Sequence, residues 1–282
     1  MKKIISVLLI SSAFFSYSQK ERDSLPEVWK IKGKVAFIFN QSSFSNWVAG
    51  GSNTIAGNFA VDYDFNYKKS KWNWDNKINS IYGLSYIDEK GIRKTDDRFE
   101  YNSILGLKSG KYWFFSFKSN FKTQFSRGYN YKKEPILAIS DFLSPAYWSF
   151  GPGMLWKKSK DTKINIAPAS SRFTFVSKEF TGNYGVKEGD TSIFGLGFDL
   201  SSYFKFSLMK DVIMENILAM YADYLDKPQN IDIDYQMKFF IKINENLSTN
   251  LALHSIVDDN ASSSIQFKQM FGLGLNYIFH KR

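Results

Sequence analysis

The 282-residue chain contains no cysteine. That excludes a disulfide framework, a thiolate metal site, a cysteine nucleophile and a lipid anchor on an N-terminal cysteine. Two histidines are too few for a multi-histidine zinc centre. Six prolines are too few for a stalk or an extended linker. No stretch approaches the ~18 consecutive apolar residues of a membrane-spanning helix. A chain of this kind can enter a bilayer only as a closed barrel, because every backbone polar group must then be satisfied within the protein.

Aromatic residues are abundant instead: 27 Phe, 16 Tyr and 7 Trp, in a chain that is 44% hydrophobic. Such a composition can bury ample apolar surface, which excludes disorder over most of the length. At the N-terminus, Lys2 and Lys3 precede a short apolar run over residues 4–15, and Ser16-Tyr17-Ser18 offers small residues where a signal peptidase reads. Residues 1–18 are therefore expected to be a signal peptide, 19–30 a periplasmic segment and 31–282 an outer-membrane barrel.

The remaining sequence alternates. Ile55, Phe59, Val61, Tyr63, Phe65 and Tyr67 share one parity, and Asn58, Asp62, Asp64 and Asn66 the other. Successive strand side chains point to opposite faces, so this is a strand with one apolar and one polar face. The pattern recurs over 113–125, 231–243 and 265–279, and about twelve such segments can be traced. They begin near residues 32, 53, 71, 97, 111, 143, 161, 190, 211, 230, 246 and 264. The segment from 161 changes parity at Ser170-Ser171, which suggests a bulge. The segment from 211 is apolar on both parities and also reads as a short helix. The first, over 32–40, is short.

Turn lengths are sorted. Residues 68–70, 108–110, 157–160, 209–210 and 244–245 read as tight turns; 40–52, 88–96, 127–142, 177–189, 226–229 and 258–263 read as longer loops. Short connections at one end and long ones at the other are the pattern of an antiparallel transmembrane outer-membrane β-barrel with both termini on the periplasmic side. Trp72, Trp113, Trp156, Tyr67 and Tyr277 lie beside the short turns, where an aromatic girdle belongs. A soluble β-sandwich also alternates, but its wet faces should be more polar than this one, and it gives no reason for sorted turns. Much of the formal net charge of +10 lies in the short turns, at Lys68, Lys69, Lys71, Lys108, Lys111, Lys157, Lys158 and Lys160. These lysines are expected to lie beside phospholipid headgroups. Spread around a rim, they do not form a nucleic-acid groove.

The inward parity carries both signs. Asp62, Asp64, Asp75, Glu100, Asp199, Asp232 and Asp234 are there, with Lys77, Arg98, Lys118, Lys122, Arg172, Lys205, Lys238 and Lys242. They would form a solvated or salt-bridged plug that holds the barrel shape, or line a pathway for a small solute, and mixed signs argue against strong preference for one ion charge. No catalytic group is evident. His254 and Ser255 are adjacent and so face opposite ways, and His280 is next to the C-terminal Lys281 and Arg282. The glycines of 106–111 have the wrong spacing for a phosphate loop, and Gly195, Gly197, Gly272 and Gly274 are strand glycines. Asp96-Asp97 and Asp258-Asp259 are expected in loops as solvated carboxylates. No cofactor or metal is expected.

One segment is more specific than its period. Trp29 leads to Gln41-Ser-Ser-Phe44-Ser-Asn46-Trp47-Val-Ala-Gly50-Gly51. Tyr82-Gly83, Asp96-Asp97, Thr123-Gln124-Phe125, the run from Asp141 to Tyr147, and Ala167-Pro168 follow in order. The set resembles an uncharacterised Bacteroidota family of secreted proteins with an outer-membrane barrel. The resemblance implies location and fold and no activity. Gln41, Phe44, Asn46, Trp47, Gly50 and Gly51 suit a folded loop, either covering the barrel mouth or docking a partner, since the glycines permit positive φ and the indole can pack.

Three functional classes follow from the sequence. The first is a non-enzymatic accessory or scaffold subunit of an envelope or export complex, contacting outer-membrane lipids and envelope proteins. The second is a narrow channel for small solutes or apolar ligands. The third is a lipid-modifying enzyme.

Overall fold

The computed structural model describes residues 28–43, 52–131 and 134–281. The expected signal peptide and the loop residues Phe44, Asn46, Trp47, Gly50 and Gly51 lie outside them. Fourteen strands follow in order: β1 (Trp29–Ser42), β2 (Thr54–Lys69), β3 (Trp72–Ile87), β4 (Gly91–Lys108), β5 (Trp113–Thr123), β6 (Gly128–Asn130), β7 (Leu137–Ser140), β8 (Ala146–Ser159), β9 (Thr162–Phe175), β10 (Ser192–Met209), β11 (Val212–Asp223), β12 (Ile231–Lys242), β13 (Leu247–Asp258) and β14 (Ser262–Lys281). Twelve of them close a barrel in the order β1-β14-β13-β12-β11-β10-β9-β8-β5-β4-β3-β2, and β6 and β7 form a separate hairpin. All pairings are antiparallel. The ring is sealed by β1 and β14, from Ile31↔Lys281 to Phe39↔Leu273. Closure removes the unpaired edges that a strand otherwise exposes. Among the described residues no helix is long and apolar enough to cross a membrane.

The segment from 211 is strand β11, not helix; its pairing on both sides overrides an ambiguous period. The first strand is longer than its clear alternation, because Trp29 and Lys30 already pair with Tyr67 and Asn66. Two expected loops are corrected. The 88–96 segment is a tight turn over 88–90, so Asp96 and Asp97 lie within β4. The 258–263 segment shrinks to 259–261. Both are hairpins whose strands continue toward the long-loop end. The other long connections, 43–53, 124–145, 176–191 and 224–230, stand at that same end, opposite 70–71, 109–112, 160–161, 210–211 and 243–246.

The parity change in β9 is a bulge. Gly197 pairs with Ser170 but Asp199 with Ala167, so Pro168 and Ala169 oppose one residue of β10. Asn165 and Arg172 thereby both face inward. The bulged backbone presses on β8: a side chain at Gly151 would fall 2.8 Å from the Ser170 Cα, and one at Gly153 would fall 3.0 Å from the Ala167 Cα. Only glycine fits beneath that backbone.

The outside is apolar and uncovered. Phe115, Phe267 and Phe271 are 60%, 64% and 62% exposed. A water-soluble protein rarely shows so extensive an apolar surface, whereas a barrel that faces hydrocarbon requires it. Several polar groups on this face are satisfied locally, as hydrocarbon demands. The Trp74 indole N–H donates to Ser103 Oγ at 2.8 Å, and the Trp148 indole to Ser119 Oγ at 3.1 Å. The Tyr101 hydroxyl donates to Asn76 Oδ1 and the Tyr235 hydroxyl to Asn216 Oδ1, each at 2.8 Å. At the short-turn end, Trp29 packs on Tyr67 and Trp74, and Trp113 pairs across the strands with Trp156.

Candidate functional site

Every lumen-facing charge named from the sequence, Arg172 included, lines one cavity of about 2430 Å³. At roughly 30 Å³ per water molecule, that is room for tens of waters. Its lining runs from Lys68, Lys111 and Asn244 at the short turns to Gln124, Tyr184 and Asp258 at the other end. The charges pair, as struts across this cavity. Twelve strands enclose more bore than these side chains can fill.

The struts link opposite walls. Strands β3 and β11 stand six places apart in the ring of twelve, as do β4 and β12. Lys77 Nζ of β3 nevertheless lies 3.9 Å from Glu215 Oε1 of β11, and Lys238 Nζ lies 3.8 Å from Glu215 Oε2. The Tyr203 hydroxyl donates to the same carboxylate at 2.6 Å. Arg98 Nη2 of β4 donates to Gln236 Oε1 of β12 at 3.1 Å. Lys122 reaches Asp234 at 2.8 Å, and the other Asp234 oxygen is 2.9 Å from His254 Nε2. Glu100 accepts from Asn102 and Asn120, each at 3.0 Å. Arg172 pairs with Asp232 and stacks over the Tyr221 ring at 3.5 Å. These interactions lie inside a wall of low dielectric, where an unpaired charge would be costly.

Nearer the wall, Lys118 and Asp199 pair at 2.7 Å, with Lys118 7% and Asp199 5% exposed. Ser116 donates to Asn165 Oδ1 at 2.7 Å beside them. Toward the short turns, Asp75 holds Lys157 at 2.6 Å and Lys163 at 3.9 Å. Asp64, Lys205 and Lys242 line the cavity there as well.

The structure also brings in groups that the sequence reading left out. Glu215 is the hub of the central strut, but it sits in β11 among the inward-facing apolar residues Ile213 and Ile217, which hid its parity. The signal that finds it is register: Glu215 stands directly opposite Lys238 on one side and Lys205 on the other. Lys68, Lys108, Lys111, Lys157, Lys158 and Lys160 line the cavity mouth.

At the long-loop end, the residues that carry the family resemblance converge. Asp97 accepts from the Phe125 and Ser126 amides at 2.7 and 3.0 Å and pairs with Lys94 at 2.8 Å. The Gln124 amide donates to the carbonyls of Asp141 and Ser144 at 2.8 and 2.6 Å. Ser144 Oγ accepts the Ser177 amide at 2.8 Å, which joins the two long loops. Val176, Phe180 and Val186 bury a small apolar cluster against Ala138 and Tyr184. Burial raises the Tyr184 hydroxyl pKa. Asp141 is held below the ordinary carboxylate range, chiefly by the Phe142 amide and then by Arg127. Its contribution to loop order is therefore present at neutral pH and lost as pH falls through its folded pKa. Gln41 is an exposed residue of β1 paired with Ile55.

His254 lines the lumen with its ring 2.9 Å from Asp234 Oδ1. Asp232, Asp258 and Asp259 bring carboxylate oxygens within 4.8 Å of one another, and Arg172 already supplies a compensating charge to Asp232.

Residues 39–129 match the model of a family described as Protein of unknown function (DUF3078). None of the curated proteins matches. Among solved structures, the translocator domain of autotransporter NalP from Neisseria meningitidis is 6% identical, with a TM-score of 0.36 over 99% of this chain and 98% of that one. An outer membrane channel from Pseudomonas putida F1 is 8% identical, with a TM-score of 0.39 over 93% of this chain and 100% of that one. The beta domain of the Bordetella autotransporter BrkA is 8% identical, with a TM-score of 0.31 over 91% and 100%.

Proposed function

We propose that this chain is a non-enzymatic outer-membrane barrel that conducts small polar solutes, with its lumen held narrow by side-chain struts. The observation that carries the reading is a cavity, carrying many charged side chains, whose lining reaches both ends of the barrel among the described residues. The apolar outer face supports contact with outer-membrane lipids. The accessory-subunit reading draws on a filled lumen and on the first long loop, whose key residues lie outside the described ones.

Glu215 is the residue to test, because one carboxylate holds Lys77, Lys238 and Tyr203 together. In planar bilayers the native protein is expected to give small, reproducible current steps. Glu215→Ala is expected to raise the step size about twofold or more, since the central strut loses its hub. Silence from both proteins would remove the conduit reading. Equal steps from both would show that the strut does not limit flow.

A further inference from the structure

The lumen charges are sorted along the barrel axis. Lys30, Lys32 and Lys34 of β1, Lys163 of β9, Lys205 of β10 and Lys238 of β12 line its short-turn half, where Asp62, Asp64, Asp75 and Glu215 are the acids of the strands. Toward the other end the inward carboxylates Asp96, Asp199, Asp232 and Asp234 each meet a base, Lys268, Lys118, Arg172 and Lys122 respectively. Both signs occur in each half, but the short-turn half carries the excess of bases.

Around Glu215 the imbalance is local. Lys77 and Lys238 already contact that carboxylate. Lys34 and Lys205 are within electrostatic reach of it too. Among the described residues, neither Lys34 nor Lys205 forms an ion pair. Lys34 Nζ instead rests 4.3 Å from the centre of the Phe240 ring. Four ammonium groups thus face two carboxylates, Glu215 and Asp62, and Asp62, opposite Lys34 in the register, already accepts from Asn79. An excess of fixed positive charge in a walled cavity raises the local anion concentration and favours a ligand with more than one negative charge.

We infer that the short-turn half of the lumen is a binding site for a small, soluble, multivalent anion bearing phosphate or carboxylate groups. Lys34 and Lys205 donate to it and Lys238 closes its upper side. The lysines at the mouth, among them Lys68, Lys108 and Lys111, steer the anion inward. The inference rests on the reading of the lumen as a solvent-filled conduit, but binding needs no conduction, so the two can fail separately.

The test is calorimetric titration of inorganic pyrophosphate into the full chain, folded in neutral detergent at low salt. Saturable binding at one site is expected, weakening as salt is added. The Lys34→Gln/Lys205→Gln double variant is expected to bind at least about tenfold more weakly, having lost two charge-assisted donors. A charge-matched control, Lys178→Gln/Lys187→Gln in the outer loop, is expected to bind like the native protein. Absence of saturable binding, or equal affinity in the two double variants, overturns the inference. Displacement of pyrophosphate by a short-chain phosphatidic acid at equal concentration would make the site a lipid-headgroup site and overturn the soluble ligand. Silent bilayers with binding intact remove the conduit reading alone; current steps without binding remove the anion site alone.

Discussion

Replacing Asp199 by alanine is expected to cost the folded barrel about 3–5 kcal/mol, the usual penalty for removing one partner of a buried pair. Lys118 and Asp199 lie 2.7 Å apart and are almost fully buried. They belong to β5 and β10, which are not neighbours; β8 and β9 stand between them. The pair therefore ties together a stretch of wall that includes the β9 bulge. In Asp199→Ala the Lys118 ammonium keeps its burial and loses its counter-charge. The urea midpoint of the barrel folded into liposomes should fall accordingly. The double change Lys118→Met/Asp199→Leu should recover most of the loss, because it removes both charges and leaves an apolar contact of similar volume. A cost of Asp199→Ala below about 1 kcal/mol would mean that water reaches Lys118 freely.

The second large effect lies on the opposite face of the same strand. Phe117→Arg is expected to cost about 2–4 kcal/mol, the penalty for a guanidinium near the middle of the hydrocarbon. Phe117 is 48% exposed and stands between Leu105 and Pro152 of the adjacent strands. On a protein bathed in water the same change at so exposed a site would be nearly neutral. The comparison is Ser201→Arg, which places the same group on the cavity wall. There it meets water and carboxylates and should cost less than about 1 kcal/mol. The difference between the two variants measures the difference between the two faces.

Most of the fold was legible because period two is a direct consequence of strand geometry. Residues 54–69 and 231–242 show which face is which without any structure. What was not legible depended on neighbours rather than on the strand itself. Glu215 lies on a strand with apolar residues on both faces, and only its pairing with Lys205 and Lys238 identifies it. The turn over 88–90 was hidden because the polar residues Arg93, Lys94, Asp96 and Asp97 look like a loop, although they continue a strand. The bulge in β9 was visible as a parity slip at Ser170-Ser171, but its need for Gly151 and Gly153 was not, since those glycines act on a different strand. The sorting of lumen charge by height could not be seen before the registers were known. Each strand reverses direction, so neighbours in sequence fall at opposite ends.

The absence of native cysteine makes the central claim directly measurable, because single thiols can be introduced without background. In the barrel folded into liposomes, a water-soluble maleimide should label Asp62→Cys, Asp64→Cys and Asn66→Cys, which face the lumen. It should leave Val61→Cys, Tyr63→Cys and Phe65→Cys unlabelled, because hydrocarbon covers that face. Labelling at both sets, or faster labelling at 61, 63 and 65 than at 62, 64 and 66, would contradict an apolar outside in lipid around a wet interior.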